Sequence, residues 1–311
     1  METQRRPPLV KRLLGLAALA LIAALPLGTV AAQAPAPKAT PLLGASSSFK
    51  GVTAPGPTFD LVESVLDFSP GATSHVIETG TAHYLSVLDG ELTVGVDGES
   101  QVVAQAKGIS VPAGAKLVLS NAGTVQTARL FVTTLLAVGA VSDVHLLSAA
   151  GVKLFVTGRR TMSNAPAVVD VIQNAAAYDV GYRTPNHVMN EFHLMVHLTG
   201  QTGYAYLDGA AESYGAGSQA VMYEGRPGWM RNDGPTVTAT AWTWVANPGK
   251  PLSSGVPAAT TTAPAPPNTG TGVAEDHSGV PAALAATGLI LIVLGASAFA
   301  AVGPRKAPRV R

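Results

Sequence analysis

PGATSHVIETGTAHYLSVLDGELTVGVDG, residues 70–98, decides how this chain folds. Its second half sets Asp89-Gly90 between two β-rich runs, 84–88 and 91–96, which is the pattern of a tight hairpin. Downstream, the run 108–114 carries Pro112 and Gly114 and leads to Asn121-Ala122-Gly123, after which 128–135 reads as another strand. Upstream, 59–68 alternates. Leu61, Glu63, Val65 and Asp67 fall on one side and Val62, Ser64, Leu66 and Phe68 on the other, as in a first strand.

The unit recurs. Gly71, His83 and Gly90 match Gly181, His193 and Gly200 at an offset of 110 residues, and Gly98, Gly114, Asn121 and Gly123 match Gly209, Gly225, Asn232 and Gly234 at 111. An offset held across so many turn residues points to a duplicated domain. The expected architecture is all-β, with barrel 1 over 58–140 and a connection plus barrel 2 over 141–248. The run 152–157 is expected to begin the second barrel's sheet.

A strand, an acidic-Gly turn and a second strand, followed by Pro-x-Gly and then Asn, resemble the two motifs of the cupin family. The resemblance implies two tandem double-stranded β-helix (jelly-roll) barrels, each with an interior site. It also implies where a metal would sit: a His-x-His pair, a Glu and a third His. In barrel 1 those positions fall on Ile77, Thr79, His83 and Leu117, and aliphatic side chains offer no lone pair to a cation. In barrel 2, His187 takes the first position, Met189 the second and His193 the third, while Gly228 stands near the fourth. The resemblance further allows a homodimer formed through edge strands.

The termini call for a different reading. Arg5, Arg6, Lys11 and Arg12 precede a short apolar run closed by small residues, so 1–32 reads as a secretory signal peptide cut between Ala32 and Gln33. Residues 33–57 are rich in Pro, Ala and Ser and are expected to be a poorly ordered lead-in. Residues 249–280 read as a Pro/Thr-rich stalk. The uncharged stretch 281–303 is long enough for one transmembrane helix, since about 20 residues cross a bilayer, and 304–311 forms a basic cytoplasmic tail. Within the stalk, Pro266-Pro267-Asn268-Thr269-Gly270 resembles an LPxTG-type sorting signal, with Pro266 where that family has Leu. That resemblance implies cleavage between Thr269 and Gly270 and attachment to peptidoglycan. Both routes leave the barrels at the cell surface.

Formal net charge is +1 and the basic residues gather at the chain ends, so nothing favours a nucleic-acid partner. The absence of cysteine excludes disulfides, thiolate metal sites and a cysteine nucleophile. Candidate ligand-pocket residues are His83, His193, His197, Tyr204 and Tyr206. His193, Met195 and His197 share one strand face, and flat rings at a barrel mouth suit a sugar or another small molecule. The reading preferred from sequence is a surface-displayed cupin-like binding or structural module with no cofactor. The alternative is a metal-dependent cupin enzyme, an oxygenase or isomerase. It would hold one divalent transition metal in barrel 2 through His187, Glu191 and His193 and act on a small extracellular substrate.

Overall fold

Strand-forming segments separated by glycine turns run through the chain, and the computed structural model describes residues 35–256. The first strands are β1 (Ala39–Pro41), β2 (Ser48–Thr53), β3 (Thr58–Phe68), β4 (Ile77–Glu78) and β5 (His83–Asp89). They are followed by β6 (Glu91–Val96), β7 (Glu99–Ala104), β8 (Gly108–Val111), β9 (Lys116–Ser120) and β10 (Ala128–Ala137). After a 3-10 turn, Asp143–Leu147, come β11 (Val152–Ser163), β12 (Val168–Tyr178), β13 (His187–Met189), β14 (Phe192–Thr199) and β15 (Gln201–Tyr206). The series closes with β16 (Ala211–Gly215), β17 (Gln219–Ala220), β18 (Gly228–Arg231), β19 (Thr238–Ala246) and β20 (Ser253–Gly255).

Barrel 1 pairs the sheet β11-β3-β10-β5-β8 with the sheet β4-β9-β6-β7. Barrel 2 pairs β1-β12-β19-β14-β17, with β2 also on β12, with the sheet β16-β15-β18-β13-β20. The repeat is visible in hydrogen bonds. Asn121 Nδ2 donates to the carbonyls of Phe68 and Gln126, and Asn232 Nδ2 to those of Tyr178 and Thr236. Each Asn Oδ1 also accepts a glycine N–H at 3.0 Å, from Gly123 and Gly234 respectively. Each Asx turn thus ties one loop to the end of a long strand, β3 in barrel 1 and β12 in barrel 2. Gly90 and Gly200 close the two hairpins with φ of 70° and 65°, a conformation that favours glycine.

Three expectations about the connections are corrected. The lead-in is not structureless along its length, because β1 and β2 pair with β12 and Ser47 is buried between the barrels. The run 152–157 does not start the second barrel's sheet. It lies in β11, which pairs with β3 along its length and completes barrel 1. Both boundaries shift for one physical reason: β3 and β12 each carry a second edge of unpaired N–H and C=O groups, and the segment leading into the other barrel satisfies it. The stalk also begins later than the sequence reading placed it, since β20 pairs with β13.

The signal peptide, the Ala32-Gln33 and Thr269-Gly270 cleavage positions, the span 281–303 and the tail lie outside the described residues. Among the described residues no helix is long and apolar enough to cross a membrane.

The two larger sheets pack face to face. Phe59, Leu61 and Leu135 of barrel 1 lie against Val169, Val171, Leu194 and Val245 of barrel 2, and Val65 and Phe131 against Val196 and Ala241. A polar cluster sits inside this apolar layer. Ser86 donates to Gln173 Oε1 at 2.5 Å, Gln173 Nε2 donates to the Tyr84 carbonyl and to Thr133, and Thr133 meets Thr243 at 2.7 Å.

Glu63, fully buried, lies on the same strand face as Leu61 and Val65 and is the repeat equivalent of Gln173. Neither of its carboxyl oxygens makes a well-formed hydrogen bond. Burial therefore drives its pKa well above 4.5 against the opposing pull of Thr243. The folded protein keeps this proton to higher pH than the unfolded chain does. The associated stability is present below 4.5 and lost as pH rises through the folded value. Glu63→Gln installs the residue that the second repeat uses, so urea unfolding of the full-length variant at pH 8 should show a gain of on the order of 1–3 kcal/mol. Its stability should also depend less on pH above 4.5 than that of the parent.

Candidate functional site

The two lumens differ. That of barrel 1 is filled by branched aliphatics, among them Leu66, Ile77, Leu85, Leu117 and Val132. Ile77 and Leu117, at two positions where the cupin resemblance implies metal ligands, pack in this core. Thr79, at a third, donates to the Pro112 carbonyl at 2.7 Å.

His83 is fully buried, with Nδ1 2.8 Å from the Thr81 carbonyl and Nε2 2.8 Å from Asp143 Oδ1. Both nitrogens thus face oxygen, and the ring ties the Asp143–Leu147 turn to the barrel rim. Burial pushes the Asp143 carboxyl up, but the hydrogen bonds from His83 and the Gly80 N–H outweigh it and hold the group below its ordinary value. His83 is a structural clasp rather than the wall of an open pocket.

Barrel 2 encloses a cavity of about 310 Å³. On β14 the alternation puts His193, Met195 and His197 toward the lumen while Leu194, Val196 and Leu198 join the inter-barrel layers. β19 contributes Trp242 and Trp244, β13 His187 and Met189, and β18 Met230, with Met222 closing the wall from a loop. The segment after β19 forms one side, through Leu252 and Ser253. It is held down by Glu191, whose Oε2 accepts from Asn247 N at 3.0 Å and Nδ2 at 2.9 Å, and by the Asn190 N–H, which donates to the Leu252 carbonyl.

His193 is fully buried and its ring lies 4.8 Å from that of Trp244. The Met222 backbone N–H lies 3.2 Å from Nε2. A backbone N–H can only donate, so Nε2 accepts and the neutral ring carries its hydrogen on Nδ1, 3.8 Å from Glu224 Oε1. Burial lowers the His193 pKa to about 4, with Glu224 opposing the shift and Arg160 adding to it. His187 is oriented differently. Its Nδ1 donates to the Pro185 carbonyl at 2.8 Å, which leaves the Nε2 lone pair free.

His197 and Tyr204 stand behind this wall. The Tyr204 hydroxyl is 3.1 Å from His197 Nε2 and 3.4 Å from Met195 Sδ, and the His197 ring stacks on Tyr214 at 5.4 Å. Burial lowers the His197 pKa to about 4. Tyr206 also lies outside the cavity, with its hydroxyl on the Val221 carbonyl and the Arg226 guanidinium over its ring.

Of the residues singled out from sequence, the cavity therefore brings together His187 and His193. It leaves out His83, His197, Tyr204, Tyr206 and Glu191. The divalent-metal set His187, Glu191 and His193 does not fit, because Glu191 is bound to Asn247 and the His193 Nε2 lone pair to Met222. Among the described residues no three His, Asp or Glu side chains are grouped to hold an ion. The sequence reading missed the thioethers. Four of the chain's six methionines line this one cavity, from four separate segments, and only Met189 and Met195 lie close in sequence to the candidate histidines His187 and His193.

No family model and no curated protein matches the chain. It is similar to solved structures of cupin-fold proteins, a decarboxylase and vicilins among them. One is oxalate decarboxylase of Bacillus subtilis, 11% identical over 70% of this chain and 78% of that one, with a TM-score of 0.42. Another is vicilin of Capsicum annuum, 12% identical over 61% and 76%, with a TM-score of 0.45.

The two buried imidazoles of barrel 2, His193 and His197, are neutral in the folded protein and have pKa values near 4 against 6.5 in the unfolded chain. Their contribution to stability is therefore present above 6.5 and lost as pH falls toward 4. Ring-carbon proton resonances of His193 and His197 should stay in the neutral position from pH 8 down to about 5. Titration of either ring near 6.5 would show that it is not desolvated.

Proposed function

We propose that this chain is an exported, surface-tethered, cupin-like binding module. In this reading barrel 2 receives a small, weakly polar ligand and barrel 1 serves as a closed scaffold. The observation that carries it is the contrast between the lumens, with aliphatic packing in one and an open chamber walled by thioethers, indoles and imidazoles in the other. Ligand cavities are concave and mostly apolar, with a few placed polar groups, here Asn174, Thr184 and Ser253. A carbohydrate would need many more hydrogen-bonding partners than these, so a flat apolar or aromatic molecule fits better. Export and tethering rest on the signal-like and span-like ends of the sequence.

The probe is p-cresol, small enough for a chamber of about 310 Å³. Titrated into the full chain, it should change tryptophan fluorescence saturably, because Trp242 and Trp244 line the wall. Met230→Phe, which narrows the space, should weaken that response by about tenfold. No saturable response, or an equal response in the variant, would contradict the reading.

A further inference from the structure

We infer that the barrel 2 cavity is a site for a soft monovalent metal ion, Cu(I), held by thioether sulfurs and the Nε2 of His187. The inference rests on the reading of barrel 2 as the receptor and names the class of one ligand.

Three observations converge on it. The first is the donor set. Met189, Met195, Met222 and Met230 line one chamber, whereas the aliphatic core of barrel 1 contains no methionine. Thioethers are soft donors that select Cu(I) over hard divalent ions. A sphere of the cavity's volume, about 310 Å³, has a radius of about 4 Å, so flexible methionine side chains on facing walls can converge by changing rotamer.

The second is the tautomer of His187. A ligating imidazole characteristically donates its other N–H to a carbonyl, which fixes the ring and exposes the lone pair. The 2.8 Å bond from Nδ1 to Pro185 does this before any ion arrives. The third is charge. No Asp, Glu, Lys or Arg lines the cavity, so a dication would enter with nothing to offset its desolvation. A single positive charge beside indole rings is far less costly, and Trp242 and Trp244 line the cavity. The chain also has no cysteine, and in an oxidising compartment thioethers keep their metal affinity without forming disulfides.

The test loads the full chain anaerobically with tetrakis(acetonitrile)copper(I) and challenges it with bicinchoninate. One equivalent should be retained, with a sulfur-dominated first shell by X-ray absorption, and Zn²⁺ should not be retained. Met189→Leu/Met222→Leu/Met230→Leu conserves side-chain volume and should weaken retention by about tenfold or more. His187→Gln should remove the nitrogen contribution from the absorption spectrum.

Copper lost to the competitor, a first shell of nitrogen and oxygen alone, or undiminished retention in a folded triple variant would overturn the assignment. If the triple variant misfolds, the absorption spectrum of the parent protein decides. Saturable p-cresol binding without copper retention would sink the metal assignment alone. Loss of both would sink the receptor reading as well.

Discussion

Thr133 and Thr243 meet hydroxyl to hydroxyl at 2.7 Å in the layer between the barrels, and they are repeat equivalents: Ala128 pairs with Phe68 and Thr238 with Tyr178, so the offset returns from 111 to 110 in β10 and β19. A residue touching its own repeat equivalent marks a pseudo-two-fold relation between the halves. The larger sheets face one another across that point, so each strand facing the interface is buried on both sides. That explains why β3 and β12 read as nearly continuous buried runs. Strand exchange follows the same symmetry. The segment leading into barrel 1 closes the sheet of barrel 2, and the segment leading into barrel 2 closes the sheet of barrel 1. Neither half has a complete sheet without the other.

Because the interface is shared, the lumens are free to diverge. At the offset of 110, Leu66, Ile77, Leu85 and Val132 of barrel 1 correspond to Ala176, His187, Met195 and Trp242 of barrel 2. The first set fills its space with branched, rigid side chains, and the second leaves a chamber. The scaffold contacts are retained at the same time, as the two Asn turns demonstrate. Packing in one repeat thus supports an open, less densely filled site in the other.

Much of this was legible in the sequence because it is local or periodic. Asp89-Gly90 announced its hairpin, the offset of the glycines announced the duplication, and alternation on β14 gave the inward face of His193, Met195 and His197. The strand exchange was not legible, since an alternating segment such as 152–163 looks the same whichever edge it joins. The strand Ser48–Thr53 was hidden in a Pro-, Ala- and Ser-rich stretch, where composition says little about a partner as distant as Val171 is from Phe49. The clasp between His83 and Asp143 and the assembly of four methionines both depend on residues distant in sequence, so no motif spacing could reveal them.

The central claim is that the exchanged strands and the face-to-face sheets make the two barrels one cooperative unit. All three tryptophans, Trp229, Trp242 and Trp244, lie in barrel 2, whereas far-ultraviolet circular dichroism reports on the strands of both. Equilibrium urea unfolding of the full chain, followed by both signals, tests the claim directly. The account predicts coincident transitions with one midpoint; a dichroism change that separates from the fluorescence change would show that barrel 1 folds and unfolds on its own and would contradict it.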